Sequence, residues 1–170
     1  MEIQVVRGDI TRQAVDAIVN AAKRSLAGGG GVDGAIHRAA GPRLAEASRK
    51  LAPCEVGDAK PTPAFDLEAP IKWVIHTVGP RWNGGGSDEA DLLASCYRRS
   101  LEVADDLGAA TVAFPAISTG IYGYPLDEAC DVVVATLRAM STKVRTANLV
   151  AFDEPSFDAL SRAVESRQPG

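Results

Sequence analysis

Four consecutive glycines, Gly28 to Gly31, stand directly before the run Val32-Asp33-Gly34-Ala35-Ile36-His37. A closed loop of glycines loses much chain entropy on folding, so its presence suggests a use. Lacking Cβ atoms, it lets backbone N–H groups approach a ligand closely. A helix start behind it adds unpaired N–H groups and a partial positive charge, and the combination suits a phosphate at Gly30, Gly31 and Val32. The plain alternative is a flexible surface loop; the way the glycines abut a helical run favours the phosphate role. Asp33 and His37 are four residues apart and on a helix share one face beside the loop. Two readings of that pair stand. One is a helix-start carboxylate next to a locally bonded histidine; the other is a carboxylate held to orient or deprotonate a water.

A second loop of the same kind is Ser118-Thr119-Gly120-Ile121-Tyr122-Gly123, with hydroxyls and two glycines just before Pro125. Alone it reads equally well as a plain strand-to-helix turn. Paired with the first loop it points to two phosphates rather than one, and Tyr122 offers a flat face to a sugar or base. Asp9, in Gly8-Asp9-Ile10-Thr11, suits either an N-cap of the turn that follows or an acceptor for an exocyclic amine. His76 closes the apolar run Trp73-Val74-Ile75-His76 and reads as a satisfied structural histidine. No nucleophile elbow or Ser-His-Asp order is present, which argues against acyl-enzyme chemistry.

Gly29 to Gly34 also fits GxGxxG, raising a nicotinamide-dependent oxidoreductase. That motif should follow a strand by one tight turn and be answered by an acid about 20 residues on, at the end of the next strand. Here Ala21 to Ala27 intervene, and the nearest acid, Glu55, follows a helical stretch and Pro53, so the dinucleotide reading loses on context. Cys54, Cys96 and Cys130 are scattered, with no CxxC pair and no ligand spacing to His37 or His76, so neither a disulfide framework nor a metal site is expected. The net charge of −4 argues against non-specific nucleic-acid binding through a broad basic face. Between Asn20 and Arg43, however, Lys23, Arg24, Arg38 and Arg43 face the single acid Asp33, a local cationic excess at the glycine cluster. No apolar run approaches the roughly 20 residues of a bilayer span, and the N-terminus lacks signal-peptide features. A cytoplasmic, monomeric protein with no membrane partner is expected.

These residues need a frame. Period-2 and short apolar runs predict strands at about Ile3 to Arg7, Ala17 to Asn20, Trp73 to Val78, Thr111 to Pro115 and Asn148 to Phe152. A weak strand within Ala59 to Phe65 carries Pro61 and Pro63 and so belongs at a sheet edge. Helices are predicted over Asp88 to Leu107, stopped by Gly108, from Pro125 to about Met140, and from Pro155 to about Val164. The alternation implies an α/β layer fold with a mostly parallel or mixed sheet. At 170 residues without repeats or linker, one domain over 1–170 is expected. Ligands of such sheets sit beyond the carboxyl ends of the strands, where three of these loops emerge.

Taken in order, Gly8-Asp9-Ile10-Thr11, Ala17 to Ala22, Gly28 to Gly41 (GGGGVDGAIHRAAG), His76-Thr77-Val78-Gly79-Pro80 and Ser118 to Pro125 (STGIYGYP) resemble the macrodomain family, specifically its MacroD-type branch, over nearly the whole chain. The resemblance implies a three-layer α/β/α domain that binds ADP-ribose, free or carried by a mono-ADP-ribosylated protein. It implies that Asp9 accepts the adenine amine with the Ile10 backbone beside it. Gly31, Val32 and the helix start cradle one phosphate. Ser118, Thr119, Gly120, Ile121 and Tyr122 hold the diphosphate and distal ribose, and Phe152 lies near the adenine. Asn20 orders the cleft and Asp33 sits at the distal ribose as the residue usually assigned to catalysis. It further implies metal-free, cofactor-free hydrolysis of ADP-ribosyl esters on acidic side chains or of O-acetyl-ADP-ribose, with a binding module without turnover as the alternative. One departure stands out: the family's Asn-Ala-Ala-Asn is here Asn20-Ala21-Ala22-Lys23. A protonated lysine cannot accept a hydrogen bond as that second asparagine does at the distal ribose.

Overall fold

The computed structural model describes residues 1–166. In chain order its elements are β1 (Glu2–Arg7), a short 3-10 turn (Ile10–Arg12), β2 (Ala17–Ala21), α1 (Gly31–Ala40), α2 (Pro42–Arg49), β3 (Ala59–Pro63), β4 (Trp73–Thr77), α3 (Glu89–Leu107), β5 (Thr111–Phe114), α4 (Leu126–Ala139), β6 (Thr146–Ala151) and α5 (Glu154–Ser166). The strands form one sheet in the order β1-β6-β5-β2-β4-β3. Every pairing is parallel except β3 with β4. The proline-bearing β3 lies at the edge, where a residue without an N–H leaves no ladder bond unmade.

Side-chain alternation along the strands builds the three layers. Ala17, Val19, Ile75, Val112, Phe114, Ala147 and Leu149 point into a core shared with α3, α4 and α5. Ile18, Val74, Ala113 and Val150, each one residue out of phase with those, point the other way, against Ile36 and Ala40 of α1 and Leu44 of α2. A strand buried on both faces reads as a near-continuous apolar run, and residues 17–19 of β2, 73–75 of β4 and 112–114 of β5 do so. The fold is therefore the expected three-layer α/β/α arrangement around a mixed, mostly parallel sheet.

Predicted and observed elements agree to within one or two residues, because long periodic segments carry their own start and stop signals. Gly108, left-handed at φ 73°, ends α3 by donating its N–H to Ala104 and Asp105. The helical stretch after the glycine loop is two helices rather than one. Gly41 (φ 83°) donates its N–H to the His37 carbonyl to close α1, and Pro42 opens α2. Among the described residues no helix is long and apolar enough to cross a membrane. Because β1, β2, β4, β5 and β6 run parallel, the segments that follow them all leave the same end of the sheet.

Candidate functional site

At that end, the β2–α1 segment places a buried polar set under the glycine loop. Asn20, the fourth residue of β2, is fully buried, and its Nδ2 donates to Asp33 Oδ1 at 2.8 Å. Asp33 stands in the first turn of α1 and is almost fully buried. His37, one turn on, brings its Nε2 to 3.3 Å from the same oxygen. The i, i+4 pairing predicted from spacing is thus real, and it converges on one carboxylate oxygen. The other, Oδ2, faces Gly29: a Cβ placed on Gly29 would lie 3.2 Å from it and 3.3 Å from Lys23 Nζ. One oxygen of Asp33 is fixed, and the other is presented beside an ammonium group.

The glycines of this loop do different jobs. Gly31 opens α1 at φ 58°, a conformation that disfavours a side chain. Gly34 lets the loop fold onto the helix, since a Cβ there would meet the Gly29 carbonyl oxygen at 2.5 Å. Gly30 has neither reason. Its φ is an ordinary −94° and a Cβ would touch nothing within 4 Å, so its bare backbone faces open space.

The β5–α4 loop forms the facing segment. Ser118 adopts φ 66° and is buried, and its hydroxyl has no hydrogen-bond partner. It is pressed against Gly79, after β4, where any Cβ would collide with the Ser118 hydroxyl and Ile117. Gly120, like Gly30, has no positive φ and open space around it. The loop is closed on itself by Tyr124 N–H to the Ser118 carbonyl (2.9 Å) and Gly123 N–H to the Gly120 carbonyl (3.0 Å). Ile121 is fully exposed at its tip.

A neighbouring segment that sequence reasoning missed holds this loop in place. Glu89, at the start of α3, accepts the N–H groups of Asn83 (2.8 Å), Gly85 (2.9 Å) and Ser87 (2.6 Å). Those bonds, the one from Asn83 first, pull its carboxyl down to about 2 from the ordinary 4.5. The strapped loop presents Trp82, whose N–H donates to the Tyr122 carbonyl (2.8 Å) and whose ring packs on Tyr124 at 4.7 Å. The Arg81 guanidinium lies over the Tyr122 ring at 5.1 Å. Tyr122 therefore has one face already covered, which narrows the flat-face role expected of it. A glutamate accepting three backbone N–H groups from a Gly-rich turn leaves no periodic signature.

Other predicted residues fall as follows. Asp9 does cap the 3-10 turn: Oδ1 accepts from the Thr11 N–H (2.9 Å) and hydroxyl (2.7 Å), and the hydroxyl bond above all lowers its carboxyl. Its Oδ2 lies 4.0 Å from Arg12 Nε. A cleft of about 450 Å³ opens beside it, lined among others by Ala35, Arg38 and Glu68. Ile10 is buried behind it. Val32 is half-buried in the first turn of α1 and Thr119 half-buried in the β5–α4 loop. Phe152 stands one residue past β6 and is 85 % exposed, a bare ring at the same end of the sheet. The cationic excess read from the sequence is smaller in space, because Arg24 pairs with Glu55 (2.9 Å) and Arg43 with Asp66 (2.7 Å). Glu55, the acid a dinucleotide fold would turn to a ribose, is occupied by Arg24.

A mostly parallel sheet flanked by helices on both faces, with a glycine loop feeding α1 and a second glycine-bearing loop feeding α4 at one strand end, is an open α/β/α domain with its loops gathered beyond the carboxyl ends of its strands. Within that class the chain belongs to the Macro domain family, whose model matches residues 19–133. A Macro domain-containing protein of Chlorobaculum tepidum is 55% identical over 150 residues, covering 88% of this chain and 86% of its own length. One from Lactiplantibacillus plantarum is 52% identical over 168 residues, covering 96% of each. Among solved structures, the Oceanobacillus iheyensis macrodomain with ADP superposes with a TM-score of 0.89 at 37% identity, covering 95% of this chain and 89% of that one. The Trypanosoma brucei macrodomain in complex with ADP-ribose gives 0.87 at 35% identity, covering 96% of this chain and 69% of that one.

Proposed function

We propose that this chain binds ADP-ribose in the cleft between the β2–α1 and β5–α4 loops and hydrolyses ADP-ribosyl esters there. The observation that carries the reading is the pair Gly30 and Gly120, glycines for which neither backbone angle nor packing gives a reason. Bare amide groups facing open space at a helix start are what a pyrophosphate requires. The likeness to macrodomains solved with ADP and with ADP-ribose supports the same ligand. Gly30, Gly31, Val32 and the first N–H groups of α1 take one phosphate; Ser118, Thr119, Gly120, Ile121 and Tyr122 take the other and the distal ribose. The Ser118 hydroxyl and Asn20 Oδ1 are buried without a partner in the protein, which supports a polar ligand group, a hydroxyl donor in the case of Asn20, reaching them. Asp9 Oδ2, Ile10 and the exposed Phe152 ring serve the adenine.

In the reaction a water oxygen bonds to the ribose C1″ or to the acyl carbon, the ester C–O bond breaks, and the carboxylic product leaves. Asp33 Oδ2, or a phosphate oxygen of the substrate, takes the water's proton, and the fixed N–H dipoles of the two loops stabilise the charge that develops. His37 holds Asp33 from the next turn. Lys23 directs its ammonium to a phosphate or to the substrate carboxyl. The second reading, a binding module without turnover, is favoured by Lys23 where the family resemblance expects asparagine. Mixing the protein with a glutamate-ADP-ribosylated peptide separates the two. Release of ADP-ribose supports hydrolysis; tight binding with the label retained supports the module. Absence of calorimetric heat with millimolar ADP-ribose overturns both.

A further inference from the structure

His76 was expected to be a satisfied structural histidine, and it is fully buried. Its partners give it more to do. In the parallel register of β2 and β4, His76 lies opposite Asn20; in the antiparallel register of β3 and β4, Thr62 lies diagonally across from it. His76 Nδ1 is 3.1 Å from Asn20 Nδ2, and its Nε2 is 3.0 Å from Thr62 Oγ1. The same Asn20 Nδ2 donates to Asp33. Thr62, His76, Asn20 and Asp33 thus form one hydrogen-bonded row running from the sheet edge into α1, with His37 Nε2 3.3 Å from its last oxygen.

The donor and acceptor roles along that row are forced. An amide NH₂ group only donates, so the ring nitrogen facing it must be bare, and the single ring proton belongs on Nε2, donated to Thr62. We propose that His76, seated by Thr62, is a positioning residue for the hydrolysis: its bare Nδ1 fixes the end of the Asn20 amide that faces Asp33. Without that acceptor one N–H of the amide is left buried and unpaired, and only the Asp33 carboxylate sets the amide's tilt. The inference rests on the hydrolase reading given above and deepens it. Burial keeps the ring neutral, with its titration pushed down to about 3, and the neighbouring His37, at 6.4 Å between ring centres, acts in the same direction. The other groups around the ring fit this role. Cys54 Sγ reaches the His76 carbonyl (4.0 Å), not the ring. Lys60, opposite His76 in the β3 register, spends its ammonium on the Leu51 and Pro53 carbonyls.

The test uses the full chain and three variants. ¹⁵N NMR of native protein between pH 5 and 9 is expected to show His76 in one neutral form with a bare Nδ1; a protonated Nδ1 overturns the proposal. His76→Leu keeps volume and removes the acceptor. It is expected to lower kcat for release of ADP-ribose from a glutamate-ADP-ribosylated peptide by about 10- to 100-fold, the scale of a small misplacement of a catalytic group. Its Kd for ADP-ribose should stay at the native value. His76→Asn, which can present an acceptor oxygen near the Nδ1 position, should restore most of the rate. Thr62→Val, nearly isosteric, should show a smaller loss of the same kind and decides the matter if His76→Leu does not fold. Active native protein with an unchanged rate in the variants overturns the proposal alone. Native protein that binds ADP-ribose and releases none from the peptide overturns the hydrolase reading, and the positioning role with it.

Discussion

On the β2–α1 side of the proposed cleft, a polar side-chain set lies behind the bare amides of Gly30 and Gly31. Asn20 Nδ2 donates to Asp33 Oδ1 and His37 Nε2 stands 3.3 Å from the same oxygen, so changing any one of the three changes what surrounds that carboxylate. On the β5–α4 side it resides in backbone. Ser118 at φ 66°, Gly79 with no room for a Cβ and Gly120 with nothing around it define a shape, and most of that loop's internal bonds are main-chain. The side-chain set of the first wall is specified by chemical identity and the second wall by conformation. Substitutions among Asn20, Asp33 and His37 should therefore act on the reaction, and those on the second wall on binding and stability.

The sharpest way to break that division is Asp33→Ala. Turnover is expected to fall by about 10²- to 10⁴-fold, the usual contribution of a positioned base. Calorimetry should find ADP-ribose still bound, because the amide groups that hold the diphosphate are untouched. An unchanged rate removes Asp33 from the chemistry; lost binding places it in the wrong wall.

On the other wall two glycine-to-alanine changes should behave oppositely. Gly79→Ala drives a methyl into the Ser118 hydroxyl and Ile117, and is expected to destabilise by about 1–3 kcal/mol, the range for overpacking, with binding weakened as Ser118 is displaced. Gly120→Ala meets nothing in the free protein and leaves φ in an allowed region. It should raise stability by about 0.4–1 kcal/mol through the unfolded chain while weakening ADP-ribose binding, its methyl occupying space the ligand needs. Thermal melts and calorimetry on the pair separate packing from ligand space. If Gly120→Ala binds as the native protein does, the pyrophosphate does not approach there.

Glu89 tests whether the second wall is held from behind. Its carboxyl titrates lower in the folded protein than in the unfolded one. The stability it contributes is therefore fully present above about pH 4.5 and is lost as pH falls toward about 2. Glu89→Gln should melt below the native protein at pH 7, and the two melting curves should converge near pH 2. Asp9, Asp58 and Asp153, also lowered on folding, shift both proteins alike and cancel in the difference. Curves that stay parallel throughout would show that the strap is not charge-dependent.

The same contrast explains what could be read from the sequence. Glycine runs, helix caps and strand periods are local signals, so β1, β2, the glycine loop and α1 were legible, as was the sharing of one helix face by Asp33 and His37. The Gly41-Pro42 break between α1 and α2 also left a local sign, a glycine stop followed by a first-turn proline. What could not be read depends on register between distant strands. That Thr62, His76 and Asn20 align follows only once β3, β4 and β2 are paired. That Gly79 touches Ser118 follows only once β4 and β5 are placed on either side of β2, so that the segments after them converge past its end. Glu89 and its three N–H partners lie within seven residues, yet nothing in a Gly-Ser-Asp stretch tells which carboxylate will turn back into the loop.

Lys23 stands beside the glycine loop of the first wall, and its replacement should have the smallest effect. Its ammonium and Asp33 Oδ2 lie 3.3 Å and 3.2 Å from where a Cβ on Gly29 would stand. The residue is exposed, which screens its field. An exposed charge of this kind contributes on the order of 1 kcal/mol or less, a factor of about five in rate or affinity. Lys23→Asn should therefore change kcat/KM by less than about tenfold, and more at low salt than at high salt, because the loss is of charge rather than of shape. Steady-state rates at two ionic strengths measure it. A variant that hydrolyses where the native protein does not would show that the lysine blocks the distal ribose, and the chain would then be a binding module on a scaffold that retains the catalytic carboxylate.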